Sequence, residues 1–232
     1  MQIRLSAPKG LKYGQITFMA AVELNSRVVL WEVDTQADFL LPGGKLYVPG
    51  AEKRIPNMRR LVDAARAGKA VLISSTDQHA PDDREFQRFP PHCVRGTPGA
   101  EIVPGLKAEE SVHVENGGSA SVPANLSSGQ QVVIEKQTLN VFDNPATDKL
   151  LAQIPAEGEF IVFGVVTEFC VRLAVRGLLD RGRRVALVTD AIEALDPTEG
   201  KKALDELAGR GARLITTREA LALIERSSGR AA

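Results

Sequence analysis

The chain has 232 residues, of which 44% are hydrophobic and 25% charged, and its 29 basic residues balance its 29 acidic residues. A neutral chain has no overall electrostatic field that attracts phosphate backbones or anionic lipid, so we expect neither nucleic acid nor membrane as a partner. Two cysteines exclude a disulfide framework, and the first residues lack the apolar segment of a signal peptide, so we expect a cytoplasmic protein.

The first half of the chain contains a strand, a helix and a second strand. Residues 1–25 follow no regular pattern and are expected to form an irregular extension of a single domain over residues 1–232. The predicted elements are a buried strand over 27–33 that ends at Asp34, a loop over 35–50, a helix over 51–67 and a buried strand over 70–75. Two buried strands on either side of a helix predict a right-handed βαβ unit.

The second half alternates strands and helices, after an irregular stretch at 105–130 that holds at most one short strand. Strands are predicted over 131–136, 160–166, 184–189 and 212–216, and helices over 147–154, 168–181, 198–208 and up to about residue 226. This alternation predicts an α/β fold: a doubly wound three-layer sandwich with a mainly parallel sheet in a single domain.

Four polar residues follow or end buried strands of the predicted sheet, namely Asp34, Asp77, Lys136 and Thr167. Any one of them alone is explained as a loop or helix-cap residue. Parallel sheets, however, place functional groups at the carboxyl ends of their strands. Four such residues together therefore indicate a functional site at one edge of the sheet.

The stretch STDQHAPDDREFQRFPPHCVRG holds two of the three histidines of the chain. Asp77 and His79 are two residues apart, so they face one side of an extended segment, and Glu85 and His92 follow in a loop that can fold back. Two histidines with one or two carboxylates are a ligand set for Zn²⁺, Fe²⁺ or Mn²⁺. The alternative is a solvated acidic loop in which His79 makes surface hydrogen bonds. His113 has no such neighbours and is interpreted as a surface or packed residue.

Cys170 lies in the first turn of the helix that follows the most hydrophobic strand. The helix dipole and free N–H groups at that position lower the pKa of a thiol and can receive an oxyanion, as a nucleophile requires. The alternative is an inert cysteine packed between helix and sheet. Because Asp34 and Lys136 would supply a base and a cation nearby, we favour the nucleophile. Cys93, beside His92, is interpreted as a structural or incidental thiol.

Five motifs along most of the chain resemble those of the isochorismatase-like cysteine hydrolases and, within them, of the nicotinamidase/pyrazinamidase branch. They are VDTQADFLLPGGKL (33–46), TDQH (76–79), FPPHCVRGTPGAE (89–101), EKQTLNVF (135–142) and GVVTEFCV (164–171). The resemblance implies a catalytic group of Asp34, Lys136 and Cys170. It also implies one divalent metal ion, with Zn²⁺ as first choice and Fe or Mn as alternatives, bound by Asp77, His79, His92 and, as in some members, Glu85.

The resemblance implies a reaction as well. Cys170 gives its proton to Asp34 and attacks a carboxamide, and the backbone N–H groups of Val166 and Cys170 hold the oxyanion. A cis peptide bond is implied between Val165 and Val166. The expected substrate-binding residues are Phe39, Phe89, Leu139 and Val165. For the two phenylalanines, core packing is the alternative.

The family pattern is broken at two positions. Ala37 stands where asparagine is common, and Leu139 stands where an aromatic residue is frequent, so the differences concern the substrate rather than the chemistry. We expect a metal-dependent homo-oligomeric amidohydrolase that converts nicotinamide, or a close heteroaromatic carboxamide, to the acid and ammonia through a thioester. One alternative is a metal-free cysteine hydrolase of this fold that acts on another amide or an ester. The other is a non-catalytic binding protein, against which the presence of the Asp, Lys and Cys argues.

Overall fold

Seven parallel strands form one sheet in the computed structural model, which describes residues 28–108, 110–117 and 120–228. The strands are β1 (Val28–Val33), β2 (Val71–Asp77), β3 (Ser111–Val114), β4 (Gln131–Lys136), β5 (Glu159–Val165), β6 (Arg184–Glu193) and β7 (Arg213–Ile215). Their order across the sheet is β3-β4-β2-β1-β5-β6-β7, and every neighbouring pair is parallel.

Helices connect these strands. They are α1 (Ala37–Leu40), α2 (Ile55–Arg66), α3 (Ala146–Leu151), α4 (Arg172–Asp180), α5 (Pro197–Gly209) and α6 (Thr217–Ser228). A π-helical turn, Thr167–Val171, precedes α4, and a short 3₁₀ helix, Arg84–Gln87, lies in the loop after β2. No helix in the described ranges is long and apolar enough to cross a bilayer.

The helices cover both faces of the sheet. One hydrophobic core cluster joins one face to α2 and α6, through residues such as Leu61 and Ile224. The other joins the opposite face to α3, α4 and α5, through residues such as Leu150 and Val175. Successive residues of β1 point to opposite faces, so Leu30 belongs to the first cluster and Trp31 to the second. The predicted three-layer α/β sandwich is confirmed, and the sheet is parallel throughout.

A glycine near the end of β5 lets the sheet bend beside the site. Gly164 has φ 122°, and a Cβ there would collide with the backbone of Val33 on β1. At the same position the register between β5 and β6 shifts, between Val162 and Gly164. A bulge of this kind turns the end of a strand and re-aims the chain that follows it.

Several boundaries differ from the predicted ones. The loop after β1 contains the short helix α1, and the predicted helix at 168–181 opens as a π turn. Strand β6 continues to Glu193, past its predicted end at Thr189. The polar side chains there have partners beside the strand, because Thr189 donates a hydrogen bond to the carbonyl of Ile215 in β7 and Asp190 accepts one from the N–H of Thr217 at the start of α6. The irregular stretch before β4 holds the short strand β3, as expected. The extension predicted over residues 1–25 lies outside the described residues.

Candidate active site

Polar side chains meet at the carboxyl ends of three neighbouring strands. Asp34 directly follows β1, Asp77 ends β2 and Lys136 ends β4, and Asp77 pairs with Lys136 in the strand register. Cys170 comes from the π turn after β5, which neighbours β1 on its other side. The chain changes direction across the sheet between β1 and β5, where doubly wound sheets bind their ligands.

Lys136 is the centre of this group. Its Nζ lies 2.9 Å from Oδ2 of Asp34 and 3.6 Å from Sγ of Cys170, and it also contacts the carboxylate of Asp77. Lys136 is only 1% exposed, and a buried ammonium group needs anionic partners of this kind. The structure thus brings together the three residues of the predicted catalytic group.

The backbone at Asp34 lies in the left-handed region, with φ 49°, which is uncommon outside glycine. Its carboxylate is held on both sides, because Oδ1 accepts a hydrogen bond from Oγ of Ser75 at 2.7 Å while Oδ2 faces Lys136. Such backbone strain is concentrated at functional sites in proteins. Ser75 belongs to none of the five motifs, and its hydrogen bond to Asp34 is what shows that it is part of the site.

Burial dominates the titration of the group. It raises the pKa of the Cys170 thiol well above its ordinary value, although Lys136 acts in the opposite direction. The prediction that the start of the helix lowers this pKa is therefore wrong. Burial also raises the pKa of Asp34, against the effect of Lys136. Burial alone would lower the pKa of Lys136, but Asp34 and Asp77 raise it well above its usual range. At neutral pH, Cys170 is a thiol beside a permanent cation.

Asp77, His79 and His92 form a second group of side chains beside the first. All three are buried, and their ligand atoms lie within 4.8 Å of one another. Nε2 of each histidine lies 3.8 Å from Oδ2 of Asp77. Nε2 of His79 has no hydrogen-bond partner among the described residues, although a buried polar atom normally has one. Two imidazole nitrogens and one carboxylate suit Zn²⁺ or a similar ion, so these residues fit a metal.

The other residues of the TDQH to PPHC stretch are placed as follows. His79 is fully buried, which excludes the alternative in which it makes surface hydrogen bonds. Glu85 lines the adjoining cavity, but its carboxylate is not in the group whose ligand atoms lie within 4.8 Å of one another. Cys93 is buried in the core, as a structural thiol would be. His113 lies at the surface, where its Nδ1 is 3.6 Å from Oε1 of Glu135.

A narrow cavity of about 20 Å³ joins the two groups. Cys170 and three of the four candidate metal ligands, Asp77, Glu85 and His92, line it. Val166 and three of the residues predicted to bind substrate also line it: Phe39, Phe89 and Leu139. Val165 does not line the cavity, since its side chain is packed in the hydrophobic core. The peptide bond between Val165 and Val166 is cis, as the resemblance implied.

Three apolar residues of the wall were missing from the predicted pocket: Leu46, Phe169 and Leu195. They come from separate segments, and their apolar side chains resemble ordinary core residues in the sequence. Phe169 meets Phe89 edge-on, with ring centroids 5.9 Å apart. The wall is therefore mostly apolar, with Asp77, Glu85, His92 and Cys170 as its polar residues.

Gln36 was also missed, although it fixes the end of β2. Its side-chain Oε1 accepts from the backbone N–H of Asp77 at 2.7 Å, and its Nε2 donates to the carbonyl of Asp77, also at 2.7 Å. Asp38 acts in a similar way on the second histidine loop, because its Oδ2 accepts from the N–H of Cys93, next to His92. Both residues lie in the motif VDTQADFLLPGGKL, but the motif alone does not show which backbone groups they contact.

Comparison with known proteins adds to this geometry. The family model described as "Isochorismatase domain" matches residues 28–120 and 116–219. The nicotinamidase of Escherichia coli is 26% identical over 210 residues, which cover 79% of this chain and 92% of that protein. A probable inactive nicotinamidase of Arabidopsis thaliana is 25% identical over 175 residues, or 71% of this chain and 80% of that protein.

Among solved structures, the chain is similar to the pyrazinamidase of Pyrococcus horikoshii in complex with zinc. The two are 28% identical and superpose with a TM-score of 0.65, over 82% of this chain and 99% of the other. The relative therefore matches along almost its whole length.

Proposed function

Because the chain belongs to the isochorismatase family, we propose that it is a metal-dependent cysteine amidohydrolase that converts nicotinamide, or a close heteroaromatic carboxamide, to the acid and ammonia. The similar nicotinamidase and pyrazinamidase support an activity on linear amide bonds. The observation that carries the proposal is the position of Lys136, whose Nζ lies between the Asp34 carboxylate, at 2.9 Å, and the Cys170 sulfur, at 3.6 Å.

The first half of the reaction forms a thioester. The Cys170 thiol, whose sulfur lies 3.6 Å from Nζ of Lys136, passes its proton to the carboxylate of Asp34. Burial raises the pKa of Asp34, which favours acceptance of that proton. The sulfur then bonds to the carboxamide carbon, while Lys136 balances the charge that develops. The backbone N–H groups of Val166 and Cys170 are our candidates for holding the oxyanion. Asp34 returns the proton to the departing nitrogen, the C–N bond breaks and ammonia leaves.

The second half consumes one water. Asp34 accepts a proton from the water as its oxygen bonds to the thioester carbon, the C–S bond breaks, and the proton restores the thiol of Cys170. One amide and one water thus give one acid and one ammonia. No other side chain has to change its protonation state, which agrees with Lys136 being held permanently charged by two carboxylates.

Asp77, His79 and His92 would hold the metal, and the unpartnered Nε2 of His79 is the observation that supports it. The chemistry that a bound ion supplies is Lewis acidity toward a ring nitrogen of the substrate, directly or through water, which orients the amide. The zinc complex of the similar pyrazinamidase supports Zn²⁺ as the first choice. We keep Glu85 as a candidate fourth ligand.

The apolar wall supports a small, uncharged ring as substrate. Phe39 and Phe89 line the cavity and are our candidates for stacking on that ring. Leu139 replaces the aromatic residue that is frequent in the family, so we include substituted relatives of nicotinamide in the substrate class. A homo-oligomeric state, a cytoplasmic location and the absence of nucleic-acid and membrane partners stay predictions from the sequence.

The test is ammonia release from nicotinamide, pyrazinamide and benzamide by the metal-loaded protein and by Cys170→Ala. We expect release from the two substrates with a ring nitrogen, little from benzamide, and a loss of at least about 10³-fold in Cys170→Ala. Cys93→Ala is the matched control and should retain activity. Full activity in Cys170→Ala would overturn the nucleophile, and full activity after removal of metal would favour the metal-free alternative.

A further inference from the structure

The two candidate histidine ligands each have one ring nitrogen occupied by the protein. Nδ1 of His79 lies 3.0 Å from Oδ2 of Asp83, and Nδ1 of His92 lies 2.8 Å from the carbonyl oxygen of Pro90. Both partners are acceptors, so each Nδ1 carries the proton that it donates. The lone pair of each ring is then on Nε2, the atom that lies 3.8 Å from Oδ2 of Asp77. Both rings are thus fixed in the tautomer that binds metal.

The two groups that accept hydrogen bonds from the histidine Nδ1 atoms differ in charge. Pro90 offers a neutral backbone carbonyl, whereas Asp83 offers a carboxylate whose side chain is only 14% exposed. A carboxylate that accepts a hydrogen bond from one ring nitrogen of a histidine orients the ring. It also makes the other ring nitrogen a stronger metal ligand than a backbone carbonyl in the same position would. The Nε2 of His79 is also the buried nitrogen that has no partner within the described ranges.

Asp83 is itself held rigidly. Its second oxygen, Oδ1, accepts a hydrogen bond from the N–H of Glu85 at 2.9 Å and so caps the short 3₁₀ helix Arg84–Gln87. Phe86, in that helix, packs edge-on against the His79 ring with centroids 5.3 Å apart. One carboxylate therefore ties the orientation of His79 to the segment that carries Glu85.

We propose that Asp83 is a positioning residue of the metal centre: it fixes the tautomer and orientation of His79 through Oδ2 while Oδ1 anchors the segment that carries Glu85. This inference rests on the metal-dependent form of the proposed function. An asparagine cannot replace Asp83, because one end of an amide is a donor and the residue must accept hydrogen bonds at both ends. A serine at position 83 keeps only the hydrogen bond that caps the 3₁₀ helix, because its hydroxyl is a good N-cap but its side chain is too short to reach His79.

The experiment measures metal affinity rather than turnover. Purified full-length protein is stripped with a chelator, and Zn²⁺ is titrated in competition with a chromophoric chelator; Co²⁺ absorption spectra report the ligand geometry. We expect Asp83→Asn and Asp83→Ser to bind Zn²⁺ about 10- to 100-fold more weakly than the wild type. Their Co²⁺ spectra should change as well. Asp82→Asn, which removes the same charge at the exposed neighbouring position, should bind as the wild type does.

The outcomes of this experiment distinguish a failure of the role of Asp83 from a failure of the proposed amidase. Wild-type affinity in a folded Asp83→Ser variant would overturn the proposal, and so would a wild type that binds no Zn²⁺, Fe²⁺ or Mn²⁺. Far-UV circular dichroism checks that each variant is folded. If Asp83→Asn unfolds, Asp83→Ser still tests the proposal, because serine keeps the cap of the 3₁₀ helix. The proposed function fails separately: a protein that binds Zn²⁺ through Asp83 but releases no ammonia contradicts the amidase and leaves this inference standing. Ammonia release with unchanged affinity in both Asp83 variants contradicts only the role of Asp83.

Discussion

The ammonium nitrogen of Lys136 lies 2.9 Å from Oδ2 of Asp34, and both side chains are almost completely removed from solvent, with 2% and 1% of their surface exposed. Lys136 also contacts the carboxylate of Asp77, so one cation serves two buried anions. Burying charges costs several kcal/mol per ion unless they are paired, so the cluster is stable only while it is complete. The stability of the fold and the proposed catalysis therefore depend on the same lysine.

Replacing Lys136 by methionine should destabilise the protein by about 3–5 kcal/mol, because it leaves two carboxylates buried without a cation. The change would be measured as the loss of unfolding free energy in urea. Adding Asp34→Asn to Lys136→Met removes one of the stranded charges, so the double variant should recover part of the stability while remaining inactive.

Lys201 provides the matched control, since it forms an ion pair with Asp205 in which both side chains are more than half exposed. Lys201→Met should change the unfolding free energy by less than about 1 kcal/mol. Equal changes in unfolding free energy for Lys136→Met and Lys201→Met would show that the buried ion pair contributes no more to stability than the exposed one.

Glu32 in the middle of β1 predicts a pH dependence of stability. Burial raises the pKa of this carboxyl from 4.5 to about 7, against the hydrogen bonds that it accepts from Ser74, Thr35 and Gln131. Between those two pH values the folded state holds a proton that the unfolded state has lost. The free energy of unfolding therefore falls as pH rises through this window, by about 3 kcal/mol at about 1.4 kcal/mol for each pH unit.

Glu32→Gln removes this dependence. The difference in unfolding free energy between wild type and variant should change by about 3 kcal/mol from about pH 4 to about pH 8. The wild type should become less stable relative to the variant as the pH rises. Urea unfolding at each pH gives the two curves, and Glu157→Gln, at an exposed turn, should leave the wild-type curve unchanged. Parallel curves for Glu32→Gln and wild type would mean that Glu32 titrates alike in both states.

The cavity predicts that a wall residue limits substrate size. Its volume of about 20 Å³ holds about one water molecule, so the half-buried side chains around it must move apart for a ring to enter. Leu195→Ala should raise kcat/KM for a ring-substituted carboxamide, relative to the parent amide, by about tenfold. Leu214→Ala, at an exposed position of β7, should leave that ratio unchanged. A ratio that does not move in Leu195→Ala would place the substrate elsewhere.

Much of the fold was predictable because buried parallel strands are continuous apolar runs. Segments such as VVLWEV and EFIVFGV have the composition of strands covered on both faces, and their polar ends marked the functional edge of the sheet. The candidate catalytic residues were predicted in part for the same reason. Asp34, Lys136 and Cys170 each interrupt or follow an apolar run, so their positions are visible in one sequence.

The remainder depends on contacts between distant segments. Gln36 bonds to the backbone of Asp77, and Leu195 reaches the cavity from beyond β6; neither contact is periodic in the sequence. The pKa of Cys170 was predicted in the wrong direction because the dipole of a helix start is a local property, whereas burial depends on the whole fold. Val165 was assigned to the pocket from the motif alone, although the chain turns its side chain into the core.

In the proposed reaction, the sulfur of Cys170 forms a covalent thioester with the substrate. The most direct measurement is mass spectrometry of the metal-loaded protein, quenched in acid within milliseconds of mixing with nicotinamide and digested. We expect a nicotinoyl group on the peptide that contains Cys170, none on the peptide that contains Cys93, and none on any peptide of Cys170→Ala. Steady ammonia release without an adduct at Cys170, or with the acyl group on another residue, would contradict the account.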